Sequence, residues 1–367
     1  MVIEKIIIGH LYKPSSAATN RILAYAKSFV SLGKRVSLVL GCDEVHPLPQ
    51  IEGVEVFGVT SPFHILLFPK MAQVMREHYT KEQSVILVYG SPLFCLFLPK
   101  TRYNIFFECT EVPMNGMTES GVHKLKEILK LYLAKRATGM LVISNALVDY
   151  YTDRGINNIS VINMFVDSSR FDTVLPLKRK KVIAYCGTIS LHKDGVDSLI
   201  KAFNLFRRFH SGYILKIIGR FEDKKAEDSV KGLVKQLSLD EDVDFTGMVM
   251  PNEIPPMLKG AKMLVLARPN NRQAQYGFPT KLGEYLATKN PVVVTNVGEI
   301  GVFLRDGVNC CMAKPGDEKD FAEKMAWIAD HEVEAKELGE RGWLLTQKEF
   351  SALEQSRRAL AFMEVSE

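Results

Sequence analysis

The stretch MLVLARPNNRQAQYGFPTKLGEYLATKNPVVVTNV, residues 263–297, reads as two short strands, MLVLAR and PVVVTN, with a helix between them. The helix is predicted to start at Pro279 or Thr280, because proline suits a first helical turn whose N–H has no partner anyway. Leu282, Tyr285 and Leu286, at i, i+3 and i+4, make its buried stripe. Asn290 followed by Pro291 ends it. Gly277 lets the backbone approach a ligand. The amides of Phe278, Thr280 and Lys281, at the positive end of the helix, form an anion site. Glu284 lies one turn further in, where a carboxylate takes two vicinal hydroxyls. A phosphate site with a carboxylate one turn away fits a nucleotide with its ribose. The same residues also describe an ordinary strand–helix–strand unit with a solvated glutamate.

Outward from this unit, strand and helix alternate along the whole chain. In the first half, strands are predicted at 4–10, 35–41, 55–59, 85–90, 104–108, 140–144 and 159–164, with helices at 16–32, 120–137 and 145–153. At 168–181, SSRFDTVLPLKRKK, the pattern stops, and a proline and a basic cluster mark a linker. The second half resumes with strands at 181–187, 214–220, 243–247, 263–268, 291–296 and 309–313, followed by a last helix at 351–363. Continuous apolar strands between helices indicate parallel sheets covered on both faces. In such sheets ligands sit beyond the carboxyl ends of the strands.

The chain has 367 residues, enough for two domains. Its hydrophobic content of 47% and charged content of 24% are globular values. The net charge of +5 comes without a dense basic block interleaved with aromatics, so nucleic acid is not an expected partner. It suits anionic nucleotides and an anionic membrane surface. The cysteines at 42, 95, 109, 186, 310 and 311 show no CxxC pair, and read as reduced thiols with no zinc site. MVIEKIIIGH reads as a strand rather than a signal peptide, and no run of 18 apolar residues is present. A cytoplasmic protein is expected, working at the inner face of the membrane if its acceptor is lipid-linked.

The 263–297 unit resembles the donor-binding signature of family 4 glycosyltransferases, a group of retaining enzymes. That signature is two glutamates separated by seven residues, with Gly-Phe-Gly after the first. Gly277, Phe278 and Glu284 match, Pro279 replaces the second glycine, and Tyr276 stands in place of the first glutamate. The resemblance implies a GT-B architecture, α/β, with two doubly wound Rossmann-like domains facing a central cleft. It places an acceptor-side domain at 1–170, with 351–367 packing back on it, and a nucleotide-sugar domain at 178–350. It implies transfer of a sugar, with retention, from a nucleoside diphosphate sugar (UDP- or GDP-linked) to a glycan or lipid-linked acceptor. No metal and no further cofactor are implied. In the family the second glutamate contacts the ribose, here Glu284, and the first contacts the transferred sugar, here Tyr276.

CGTISLHKDGVDSLIKAF, 186–203, is similar to the family segment whose arginine and lysine hold the leaving diphosphate. Lys193 matches the lysine, and Thr188, after Gly187, replaces the arginine. Arg268, ending its strand just before the donor loop, is the expected substitute cation, with Lys281 and Arg220 as further candidates. Lys193 also reads as a solvated loop lysine, and Arg268 as a surface charge or an interdomain salt bridge. Residues 242–267 resemble the base-binding segment, with Met248 and Val249 cradling the base after Gly247. Asn296, Gly298 and Glu299 begin the next loop. In the first domain the loop HLYKPSSAATNRI offers small residues, among them Ser15, Ser16, Ala17 and Ala18. Asn20 and Arg21 follow as candidates for an acceptor anion, and Glu108 and Glu111 as polar acceptor-side residues. His10 reads as satisfied structure.

GVHKLKEILKLYLAKRATG, 121–139, is a basic amphipathic helix, read first as a core helix with a solvated lysine face and second as a membrane-surface helix. The apolar clusters HILLFP, 64–69, and PLFCLFLP, 92–99, leave peripheral membrane contact open. Two other functions fit the same motifs. One is an epimerase or hydrolase of the same fold, using Glu108, Glu111 or Glu299 as acid and base. The other is a non-catalytic subunit that keeps the nucleotide site.

Overall fold

The computed structural model describes residues 2–366 except 15, 45, 112–120 and 176–179; for 121–124 and 126 only the backbone is described. Ser15 and the side chains of Lys124 and Lys126 therefore lie outside the described residues. The chain divides into two compact units, Met1–Phe165 with Ala352–Glu367, and Val166–Ser351.

The first unit runs β1 (Lys5–Leu11), α1 (Ala17–Ser31), β2 (Arg35–Cys42), β3 (Val54–Thr60), α2 (His64–Glu77), β4 (Ser84–Tyr89), α3 (Phe94–Phe97), β5 (Ile105–Cys109), α4 (Gly121–Ala134), β6 (Gly139–Val142), α5 (Asn145–Thr152) and β7 (Ile159–Val161). Its sheet is parallel, in the order β3-β2-β1-β4-β5-β6-β7. Apolar runs such as Ile6–Ile8 and Val85–Val88 are fully buried, as strands covered on both faces must be. Residues 351–363 were expected as one helix, and α15 (Ala352–Val365) packs Ala359, Leu360 and Met363 into the same core as Tyr25 and Phe29 of α1.

The second unit runs α6 (Ser169–Asp172), β8 (Val182–Cys186), α7 (Val196–Arg207), β9 (Ile214–Ile218), α8 (Lys224–Gln236), β10 (Val243–Gly247), α9 (Ile254–Lys259), β11 (Met263–Leu266), α10 (Arg272–Tyr276), α11 (Thr280–Ala287), β12 (Val292–Thr295), α12 (Ile300–Phe303), β13 (Cys311–Ala313), α13 (Glu318–Asp330) and α14 (Glu332–Gln347). Its parallel sheet has the order β10-β9-β8-β11-β12-β13. The order reverses between β8 and β11, so the crevice for a ligand opens beyond those two strands.

The structure corrects the first of three sequence readings and adds to the other two. The segment 168–181 is not a free linker where it is described. α6 lies in it, Phe171 is buried, and Lys259 donates to the carbonyls of Phe171 and Val174 at 2.9 Å each. HILLFP opens the helix α2, which carries Pro69 inside it and buries Leu67, Phe68, Met71, Ala72 and Met75. The donor loop is interrupted by α10, whose start is capped by Asn271 accepting from the Ala274 amide at 2.9 Å.

Candidate functional site

Beyond β8, the loop 187–195 and the start of α11 are locked together by side chains that the motifs do not contain. Tyr285 reaches from α11 to the end of β8: its hydroxyl takes the Cys186 amide at 2.7 Å and lies 3.3 Å from the Cys186 carbonyl. That clasp sets the first turn of α11 against Gly187. Lys281 then passes its ammonium over Gly187, where an added Cβ would displace the lysine tip, and the Gly187 φ of 153° favours glycine. The ammonium pairs with Asp194 and lies 2.9 Å from the Tyr185 hydroxyl, which is itself 2.7 Å from Asp194 Oδ2.

Burial alone would raise Asp194; the Lys281 ammonium, with help from Tyr185 and Arg268, holds it below the usual carboxylate range. Lys193, exposed on the same loop, stands near enough to act electrostatically on Lys281. Two ammonium groups, one on the loop and one on α11, therefore lie near each other, and the buried Asp194 carboxylate pairs with Lys281. The N-cap of α11 is Pro279, which makes no side-chain cap bond, so no side chain of the cap competes for the amides of the first turn. Burial pushes the Cys186 thiol up to about 12, with Glu284 adding to the rise and Lys281 and Arg170 opposing it; all three side chains converge on the end of β8.

Glu284 is an ion-pair partner of Arg170, with Arg170 Nη1 2.9 Å from Glu284 Oε1. Arg170 was absent from the sequence reading because it sits on α6, more than a hundred residues upstream. The pair occupies one oxygen, and a carboxylate has about four lone-pair sites. Asp194, Tyr185 and Tyr285 were also missed as site-building residues. The one signal for Asp194 was its position directly after Lys193.

The remaining candidates scatter. Arg268, expected as the substitute cation, is 3% exposed and lies near enough to Asp194 to help hold it ionised, and its carbonyl accepts from Thr295 Oγ1 at 2.8 Å. Lys281 instead occupies the place over Gly187. Thr188 is exposed, and its carbonyl lies 3.0 Å from the Tyr185 hydroxyl. The Phe278 ring is buried, packing on Phe303 and Phe350 at 5.8 and 5.5 Å. Gly277 is extended, with φ −102°, a conformation any residue adopts, and its amide bonds the Gln273 carbonyl at 3.0 Å. Tyr276 ends α10, with the Arg272 guanidinium 5.8 Å from its ring. Arg220 and Gly247 line a depression of about 500 Å³ with Phe221, Lys231 and Phe245, and Met248 and Val249 follow it, Met248 exposed. Gly298, at φ 55°, abuts the Ala274 carbonyl of α10.

In the first unit, Ser16 caps α1, accepting from the Thr19 amide at 3.1 Å, with Ala17 exposed and Asn20 half-buried behind it. Glu108, read as an acceptor-side carboxylate, is fully buried. Its Oε1 takes Arg21 at 2.6 and 2.9 Å and Tyr25 at 3.0 Å. Arg21, read as an anion contact, also donates to the Ile162 and Asn163 carbonyls at 3.0 and 3.1 Å. This pair pins α1 to β5 and to the segment after β7, and neither side chain is offered to a ligand. Among the described residues no group of three or more His, Cys, Asp or Glu could hold a metal ion.

Solved structures share this fold. The crystal structure of HepE from Anabaena, in complex with UDP and glucose, superposes with a TM-score of 0.76 over 99% of this chain and 100% of that one, at 14% identity. TarM gives 0.76 over 99% of each chain at 11% identity. The fold is GT-B. Residues 167–343 match the family model described as glycosyl transferases group 1. An uncharacterized glycosyltransferase of Methanocaldococcus jannaschii is 29% identical over 159 residues, 43% of this chain and 40% of that protein. Mannosylfructose-phosphate synthase of Agrobacterium fabrum is 26% identical over 211 residues, 53% of this chain and 45% of that protein. The chain thus spans under half the length of these curated relatives.

Proposed function

We propose that the protein is a retaining glycosyltransferase that moves a sugar from a nucleoside diphosphate sugar to a hydroxyl of a glycan or lipid-linked acceptor. The observation that carries this reading is the Lys281–Asp194–Tyr185 lock over Gly187, beside Lys193 and one turn from Glu284. In this reading Lys281 and Lys193 neutralise the charge that develops on the departing diphosphate, the task a divalent cation performs elsewhere. Lys281 takes over from Thr188, which has no charge to offer. Asp194 keeps the Lys281 ammonium aimed at one place rather than free to rotate. The α11 amides donate to a phosphate oxygen at the positive end of the helix dipole, and Glu284, oriented by Arg170, accepts from the ribose hydroxyls. The base lies in the depression beside Arg220, Gly247 and Met248.

A base-free mechanism fits this arrangement: the acceptor attacks on the face the diphosphate leaves, and a phosphate oxygen takes the acceptor proton. With Glu108 enclosed by Arg21 and Tyr25, the acid–base carboxylates that an epimerase or hydrolase needs are reduced. A UDP-linked donor is proposed because HepE was crystallised with UDP and glucose.

The test is a thermal-shift panel of UDP, GDP, ADP and their glucose conjugates on the wild-type protein and Glu284→Ala. A ligand at about 100 times its dissociation constant stabilises by about 2.7 kcal/mol. The expected outcome is a shift for one nucleotide class, largely lost in the variant. A folded protein that shifts with no nucleotide sinks the reading. Free glucose released from UDP-glucose without acceptor replaces transfer with hydrolysis.

A further inference from the structure

The first unit exposes apolar surface that its own core does not use. Leu125, Ile128, Leu129 and Tyr132 of α4 follow the i, i+3, i+4, i+7 spacing of a buried stripe, yet they are 67%, 62%, 49% and 58% exposed. The helix is held to the unit from its other side, by buried Leu133 and Ala134 and by Glu127, which takes the Tyr150 hydroxyl. The core-helix reading of this segment is therefore wrong for its main apolar stripe. The exposed surface continues onto neighbouring elements. α3 touches both α2 and α4 and exposes Leu96; the entry to α2 exposes Phe63, Ile65 and Leu66. The Phe68 and Phe94 rings, 4.9 Å apart, fix α2 against α3 beneath it. An exposed apolar stripe with further exposed apolar residues on the elements packed beside it marks an interaction surface.

Charge decides the partner. The segment 121–136 carries Lys124, Lys126, Lys130, Lys135 and Arg136 against a single acid, Glu127, whose carboxylate is occupied by Tyr150. Lys130, Lys135 and Arg136 are exposed, and the Arg136 guanidinium lies 5.7 Å from the Tyr132 ring at the edge of the stripe. Lys100 and Arg102, just past α3, are exposed as well. A second copy of the same face would bring like charges together, because a two-fold interface sets each patch against itself. An apolar stripe rimmed by cations fits a surface that is apolar below and anionic above.

We propose that the α2–α3–α4 face of the first unit docks on anionic membrane lipid, with α4 lying in the plane of the headgroups. The aromatic and aliphatic side chains enter the acyl boundary, and the lysines and arginines remain at the phosphates. The proposal does not depend on the nucleotide reading.

The experiment is co-sedimentation of the full chain with vesicles of phosphatidylcholine alone and of phosphatidylcholine with phosphatidylglycerol. Two variants are compared, Leu125→Ser/Leu129→Ser and Lys130→Gln/Lys135→Gln/Arg136→Gln, each checked for fold by circular dichroism. The expected result is binding to the anionic vesicles at least about tenfold tighter than to the neutral ones, weakened at high salt. Either variant loses about tenfold or more while keeping the wild-type spectrum. Equal binding to both vesicle types, no binding, or unchanged binding by both folded variants overturns the proposal. So does a concentration-dependent dimer, dissolved by the apolar variant, in a protein that ignores vesicles. A UDP shift retained alongside failed vesicle binding sinks the docking alone; vesicle binding without any nucleotide shift sinks the transferase reading alone.

Discussion

His10 shows how one buried side chain sets a pH dependence. It lies one residue before the end of β1, 4% exposed, with Nε2 3.1 Å from Thr19 Oγ1 and its ring edge-on to Tyr89 at 5.5 Å. Burial lowers its pKa from 6.5 to about 4. The unfolded chain therefore takes up a proton near pH 6.5 that the folded chain refuses until about pH 4. Stability is complete above the upper value and falls as the pH drops between the two. At about 1.36 kcal/mol per unit, the loss from pH 6.5 to about pH 5 is roughly 2 kcal/mol. Urea unfolding across this range, compared with His10→Gln, is expected to show a shallower slope in the variant by that amount. Equal slopes would mean the folded protein lets this imidazole protonate freely. The same scale holds the main error of the sequence reading. Glu108 and Arg21 carry the residue types of a ligand contact, and their burial against each other is invisible until β5 and α1 are placed side by side.

At the scale of elements, glycine inside a helix is a cost of about 1 kcal/mol relative to alanine. α14 carries Gly339 and Gly342 in its interior regardless. A Cβ at Gly339 would stand 2.5 Å from the Lys289 carbonyl oxygen and 2.8 Å from the Asn290 carbonyl carbon; one at Gly342 would stand 2.7 Å from the Asn309 carbonyl oxygen. Backbone is on the receiving side, so no side chain can swing away. Gly339→Ala is therefore expected to destabilise, by about 1–2 kcal/mol net, because overpacking costs of about 1–3 kcal/mol outweigh the propensity gain. A higher melting temperature in Gly339→Ala would show that α14 slides off the end of α11 without penalty. Periodicity read Leu282, Tyr285 and Leu286 of α11 as a buried stripe, which they are. It did not read the Tyr285 hydroxyl as the clasp on Cys186, because periodicity carries faces and not distances. For α4 the same rule misled: the stripe is present but points outward.

For the whole molecule, two units each with its own parallel sheet lead to a prediction about where a nucleotide acts. UDP at saturating concentration is expected to slow hydrogen exchange at 187–195 and 280–284 while leaving the slowest amides of β1 and β2 unchanged. Equal protection in both units would remove the second unit's claim to be the nucleotide-binding one. The sequence by itself determined the alternation of strand and helix, the two-domain α/β class, the helix opened by Pro279 and Thr280, and the candidate anion site beside Glu284. These follow from local propensity and the spacing of apolar residues, which act over a few positions along the chain. Only the tertiary structure decided which cation stands over Gly187, that Arg170 holds Glu284, that Glu108 and Phe278 belong to the interior, and that the stripe of α4 is left outside. Each of those depends on groups far apart in sequence being brought within a few ångströms. The order of the strands sets that distance, and no local pattern encodes it.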